Sequence, residues 1–136
     1  MNLKRSLFLL TLLSASAFAE LPNSGYYRLQ ESCKDYFDIK IKSQKIVNIG
    51  ETTERLTWTA EITDIWRSST KVKLGQVITI QHEQFKPDQM VTGPSRASSL
   101  KVGVVVPAYL AREKNGTYSL AKYGRSFEVM ARPKDL

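Results

Sequence analysis

The chain has one cysteine, Cys33, and one histidine, His82, among 136 residues. A lone cysteine excludes an internal disulfide. A lone histidine excludes a polyhistidine zinc centre, and the two together fall short of the four-ligand set of a structural zinc site. Phosphate-cradling glycine loops are missing: "GPSRASS" lacks the lysine and the following helix that such a loop requires. Paired carboxylates are scarce, since Glu61 and Asp64 sit three apart and so point to opposite faces of a regular strand. After residue 19 no apolar run approaches the roughly 20 residues that span a bilayer. The sequence holds no internal repeat and no low-complexity tract. These absences leave no expected cofactor, no metal and no stable membrane insertion.

What is present begins with "MNLKRSLFLLTLLSASAFAE". Lys4 and Arg5 precede an apolar run, and Ala17-Phe18-Ala19 offers small residues where a signal peptidase reads. Residues 1–19 are therefore expected to be an export leader, cleaved after Ala19, which makes the protein secreted or periplasmic. A single thiol in an oxidising compartment has three fates: shelter inside the fold, a disulfide to another molecule, or reactivity. Cys33 is thus a candidate for a disulfide-linked homodimer. Lysine and arginine number 20 against 13 acidic residues, with Lys4 and Arg5 in the leader. The excess suits anionic partners and equally confers solubility.

The rest reads as one β domain at 36–130, preceded by a tether or short helix at 20–35 and followed by a tail at 131–136. "ELPNSG" looks like a polar tether, and "YYRLQESCKDYF" has aromatics that would pack down. "YFDIKIK" alternates Phe37, Ile39 and Ile41 against polar residues, the period of a strand with one wet face. Leu56, Trp58, Ala60 and Ile62 repeat the pattern, and the step breaks at Thr63-Asp64 before Ile65-Trp66. An extra residue there, a β-bulge, would return Ile65 to the core face and bend the strand. Such bends suit a small barrel whose long strands turn corners. "QVITIQHEQF" gives a third strand and "VGVVVPAYLAREK" a fourth, with Pro107 marking an edge or bulge. Asn115-Gly116 fits a two-residue type I′ hairpin turn. "TYSLAKYGRSFEVM" then returns as the fifth strand, kinked at Gly124. Between the third and fourth strands, "KPDQMVTGPSRASSLK" is a long loop.

Five strands in one small domain define an all-β, five-stranded OB-like β-barrel. An immunoglobulin-like sandwich calls for about seven strands. The unit "AEITDIWRSSTKVKLGQVITI" and the hairpin "VGVVVPAYLAREKNGTYSLAKYGRSFE" resemble the secreted OB-type domains of the netrin/tissue-inhibitor-of-metalloprotease class. The resemblance covers about Tyr36 to Val129. It implies a secreted protein acting on other proteins, as an inhibitor or assembly factor. Members that inhibit metalloproteases begin with a cysteine that chelates the protease zinc. Here the expected start is Glu20-Leu21-Pro22, so that chemistry carries over to no residue of this chain.

Binding, rather than catalysis, is the expected role. OB-like barrels bind across their middle strands and the loops joining strands one to two and four to five. Two basic and aromatic groups stand out: Arg67, Lys71 and Lys73 after the second strand, and Arg112, Lys114, Tyr118, Lys122, Tyr123 and Arg125 along the last hairpin. Rings stack on sugars or bases while nearby cations meet carboxylate or phosphate. The expected partner is an envelope or extracellular protein or an anionic glycan, with nucleic acid the weaker variant for an exported chain. Two alternatives stand beside this one. One is an envelope protein inhibitor or assembly factor inserting its amino-terminal segment, Glu20 to Gly25. The other is a thiol enzyme using Cys33 with His82 as base.

Overall fold

The computed structural model describes residues 21–89, 95–134 and 136. The expected leader and its cleavage point lie outside them. A helix, α1 (Asn23–Ser32), precedes five strands: β1 (Asp35–Asn48), β2 (Thr53–Arg67), β3 (Val77–Phe85), β4 (Val105–Arg112) and β5 (Tyr118–Leu120). The strands close into a barrel in the order β1-β2-β3-β5-β4, with β4 returning to β1. Neighbours run antiparallel except β3 and β5, which meet in parallel at Ile80 and Tyr118. This is the OB-like barrel expected from the sequence. None of the helices among the described residues is long and apolar enough to cross a membrane.

Alternation builds the core. Phe37, Ile39 and Ile41 of β1 point inward, facing Leu56, Trp58, Ala60 and Ile62 of β2 and Ile78 and Ile80 of β3; all are buried. The indole N–H of Trp58 donates to Gln44 Oε1 at 2.8 Å, and that oxygen also accepts from Leu100 N at 2.8 Å. A buried ring with a polar edge needs such a partner, or it carries an unmade hydrogen bond into the core.

The phase slip in β2 is a bulge. Asp38 faces Asp64 and Ile39 faces Ile62, which leaves Thr63 as the extra residue. Ile65 thereby packs against the core while Asp64 stays outside. Two further irregularities lie at Trp66 and Lys42. After the one at Lys42, Gln44 takes the inward place, and Val47 and Ile49 emerge outward. Pro107 lies where β4 has β1 on one side and no β5 on the other, since β5 meets only Leu110–Arg112. A residue without an N–H is tolerated at such an edge.

The last third of the chain differs from expectation in two places. The hairpin turn is not type I′. Glu113 O accepts from Gly116 N at 3.0 Å, Glu113 N donates to Thr117 O at 2.8 Å, and only Gly116, at φ +89°, is left-handed. That is a three-residue loop, a type I turn closed by a glycine bulge. Asn115 serves through its side chain, accepting from Thr117 N and Oγ1 at 3.0 and 2.7 Å. The fifth strand also stops early, at Leu120. Residues 121–130 instead wrap across β4, with Ala121 N donating to Tyr109 O and Tyr109 N to Ser126 O, both at 2.9 Å. Gly124 is a point of close approach rather than a strand kink, because a Cβ there would lie 2.1 Å from the Arg96 backbone.

Candidate functional site

Helix α1 begins at Asn23, inside the stretch that reads as a tether, and packs over one end of the barrel. Tyr26 and Gln30 face inward. Gln30 donates through Nε2 to Met130 O at 3.0 Å and accepts at Oε1 from Met130 N at 2.6 Å. The same oxygen accepts from Lys122 Nζ at 2.7 Å, and Lys122 also donates to Glu128 O at 2.6 Å. Lys122 is wholly buried, its ammonium 4.1 Å from the centre of the Tyr109 ring. Burial is the main influence on its pKa and lowers it to about 8, against the partial support of Glu128. Tyr109 in turn stacks on Tyr36 at 4.1 Å, and Tyr36 on Trp66 at 5.9 Å. Burial, reinforced by the Tyr36 hydroxyl, pushes the Tyr109 phenol well above its ordinary range.

Arg67 belongs to this assembly. Its guanidinium donates to Glu31 O at 2.8 Å and Gln30 O at 2.7 Å, the last carbonyls of α1, where a cation is favoured by the helix dipole. It also sits 5.5 Å from the Tyr36 ring centre. Arg125 bonds Glu128 at 2.6 Å and Asn23 Oδ1 at 3.1 Å, and lies 5.2 Å from the Tyr26 ring centre. Tyr118 is a core residue, 2 % exposed and edge-on to Phe37, with its hydroxyl bonded to Thr70 and Arg112. Four of the expected binding residues, Arg67, Tyr118, Lys122 and Arg125, therefore hold the fold together. The exposed ones are Lys71, Lys73, Arg112, Lys114 and Tyr123.

Lys71 and Lys73 sit on the connection between β2 and β3, residues 68–76, which is anchored along its length. The Asp35 carboxylate accepts from Ser69 N at 2.9 Å and from Ser69 Oγ at 2.9 and 3.0 Å. Val72 packs into the core. Gly75, at φ +86°, donates to Ile62 O at 2.7 Å, and Lys73 N donates to Gln76 Oε1 at 3.1 Å. What this tied loop and the strand ends flanking it present outward is mixed. Trp66, Leu74 and Val77 are 55, 66 and 58 % exposed. Neither Lys71 nor Lys73 has an acidic partner within 4 Å among the described residues. The sequence pointed to the lysines and not to the apolar residues, although Leu74 in "KVKLG" was a visible signal.

Cys33 and His82 line different clefts. A cleft of about 580 Å³ holds His82 beside Gln81, Glu83 and the hairpin residue Lys114, with Arg55 paired to Glu83 at 2.8 Å. A second, of about 570 Å³, is lined by Cys33, Lys34, Asp35, Ser69 and Arg112. The thiol donates to Gln30 O at 3.3 Å, and burial raises its pKa despite the nearby Arg67 cation. Burial lowers that of His82. A protonated thiol is a poor nucleophile. Cys33 is half-buried and free, and no group of three or more metal-ligating side chains forms among the described residues. Of the segment expected to insert into a partner, residues 23–25 form the first turn of α1.

The fold and these surfaces define an OB-like barrel with a helix on one end and a mixed basic and apolar connection beside it. Compared with known protein families, curated proteins and solved structures, the chain matches none.

Proposed function

We propose that this is an exported, non-enzymatic binding module that docks another protein through the connection between β2 and β3. The partner surface is apolar at its centre, where Trp66, Leu74 and Val77 meet it, and acidic at its rim, opposite Lys71 and Lys73. The observation that carries this reading is the anchored loop: its backbone is tied down at Ser69 and Gly75 and its Val72 side chain packs on the core, while the large apolar and cationic side chains on it and beside it face solvent. Apolar centres rimmed by charge are the common anatomy of protein interfaces. A loop already ordered loses less entropy on binding.

A protein fits better than a glycan or nucleic acid. Polymers of either kind stack on successive exposed rings; here Tyr118 is buried, Trp66 is already stacked on Tyr36, and Tyr123 is exposed on a different segment. The outer surface of β2 and β3 carries Thr57, Thr59, Thr79 and Gln81 in register, a polar ladder without rings. The export leader puts the partner in the envelope or outside the cell. Capture from an envelope extract tests the proposal. The wild-type chain should retain a protein that Lys71→Glu/Lys73→Glu and Leu74→Ser each lose, while Lys101→Glu retains it. Equal capture by all four chains contradicts the proposal.

A further inference from the structure

We propose that the outer edge of β1, residues 44–49, accepts an extended segment of a partner protein, rich in β-branched residues and carrying an acidic residue level with Lys45. This site lies at the far end of β1 from α1 and is independent of the connection described above.

The two sides of β1 are unequally covered. On one side β2 pairs along its whole length, to Asn48. On the other, β4 pairs only Asp35 to Lys40. Ile41 is the last residue served there, bonding Val104 O at 2.9 Å and Gly103 N at 2.7 Å. Gln44 then meets Leu100 N through its side chain. Antiparallel pairing turns alternate residues toward each neighbour. Ile49 N donates to Thr53 O at 3.1 Å, which sets the odd residues of this stretch toward β2. The backbone N–H and C=O of Gln44, Ile46 and Asn48 consequently point away from it. None of them forms a backbone bond on that side among the described residues.

Sheet edges of this kind are templates for an added strand unless proline, short length or charge blunts them; lysines on an edge repel a second basic strand and leave the edge open to an acidic one. This edge has no proline, and three of its six side chains are exposed and apolar: Ile46, Val47 and Ile49 are 46, 41 and 39 % exposed. The charge on the strip is of one sign. Residues 39–50 contain Lys40, Lys42 and Lys45 and no acidic residue, and Lys101 lies beside them next to Leu100. Lys42 is matched by Glu61 at 3.4 Å, while Lys45 and Lys101 have no acidic partner among the described residues. Two copies joined edge to edge would set lysines near lysines. An incoming acidic residue removes that conflict, and directly opposed like charges are unfavourable across strands.

The test uses the whole chain, isotope-labelled, titrated with a blocked eight-residue peptide of Val and Thr containing two Glu. A counterpart with Lys in place of Glu is the control. The Glu peptide should shift the amides of Gln44, Ile46 and Asn48 and slow their hydrogen exchange, and the Lys peptide should bind at least about fivefold more weakly. Lys45→Glu should invert that order. Ile46→Pro, which removes an outward-facing donor, should abolish binding. Should that variant fail to fold, the inversion by Lys45→Glu alone decides. Lys71→Glu/Lys73→Glu should leave the shifts unchanged, which separates this edge from the connection site. Absence of shifts, equal binding of both peptides, or an edge already protected by self-association in sedimentation would overturn the proposal.

Discussion

The two ends of β1 treat polar groups in opposite ways. At its start, under α1, a lysine, two glutamine oxygen contacts and three stacked rings are packed together with their donors and acceptors matched. At its finish, beyond Lys42, backbone groups face outward and apolar side chains remain in solvent. The first arrangement is costly to disturb, because a buried charge stripped of its partners cannot recover its hydration. The second costs little to leave exposed, since water satisfies the backbone. It gains most when another strand arrives. The buried polar cluster and the open backbone edge thus lie at opposite ends of one strand.

The largest effect that would break this contrast is at Lys122. Lys122→Ala empties the space between Gln30, Glu128 and Tyr109 and leaves the Gln30 Oε1 and Glu128 carbonyl short of a donor, and should cost about 2–5 kcal/mol in urea unfolding. That is a large share of a typical domain's stability. Gly124→Ala should follow, at roughly 2 kcal/mol or more, because the added methyl meets the Arg96 backbone and the wrapped segment must shift. Both variants should leave binding at the β1 edge intact wherever the chain stays folded.

The pH dependence sharpens the contrast. Lys122 has a folded pKa of about 8, below its ordinary 10.5, so between those values the unfolded chain binds more protons. Stability should therefore rise as pH increases from 8 toward 10. The Tyr109 phenol is raised instead, so above pH 10 the folded chain holds the extra proton and stability should fall. Unfolding at pH 7, 8, 9, 10 and 11 measures both limbs, and Lys122→Met should remove the rising one. The smallest effects belong to the exposed surfaces. Lys71→Glu/Lys73→Glu and Val47→Thr should change stability by no more than about 0.5 kcal/mol.

The parts legible in the sequence are those governed by local periodicity. Phe37, Ile39 and Ile41, then Leu56 through Ile62, announce their buried face by spacing alone, and the extra residue at Thr63 shows as a break in that spacing. The parts that were not legible depend on distant contacts. Nothing near Ser119 signals that β5 ends at Leu120, after which the chain wraps across β4 and brings Gly124 against Arg96. Asn115-Gly116 has the composition of one turn and adopts another, in which the asparagine acts through its side chain. Lys122 and Arg125 read as cations exposed for a ligand until Gln30 and Tyr26, about a hundred residues earlier, are brought against them. Of the candidate site, Lys71 and Lys73 were legible because lysine is normally exposed. Val77 was not, since its alternation with Ile78 fits either face.

Native-state hydrogen exchange along β1 tests the central contrast most directly. Ile39 and Ile41, bonded within the closed barrel, should exchange only with opening of the core, while Ile46 and Asn48 should exchange orders of magnitude faster. Uniform protection from Asp35 to Asn48 in the monomer would contradict the account, because the far edge would then be covered and unable to take a strand.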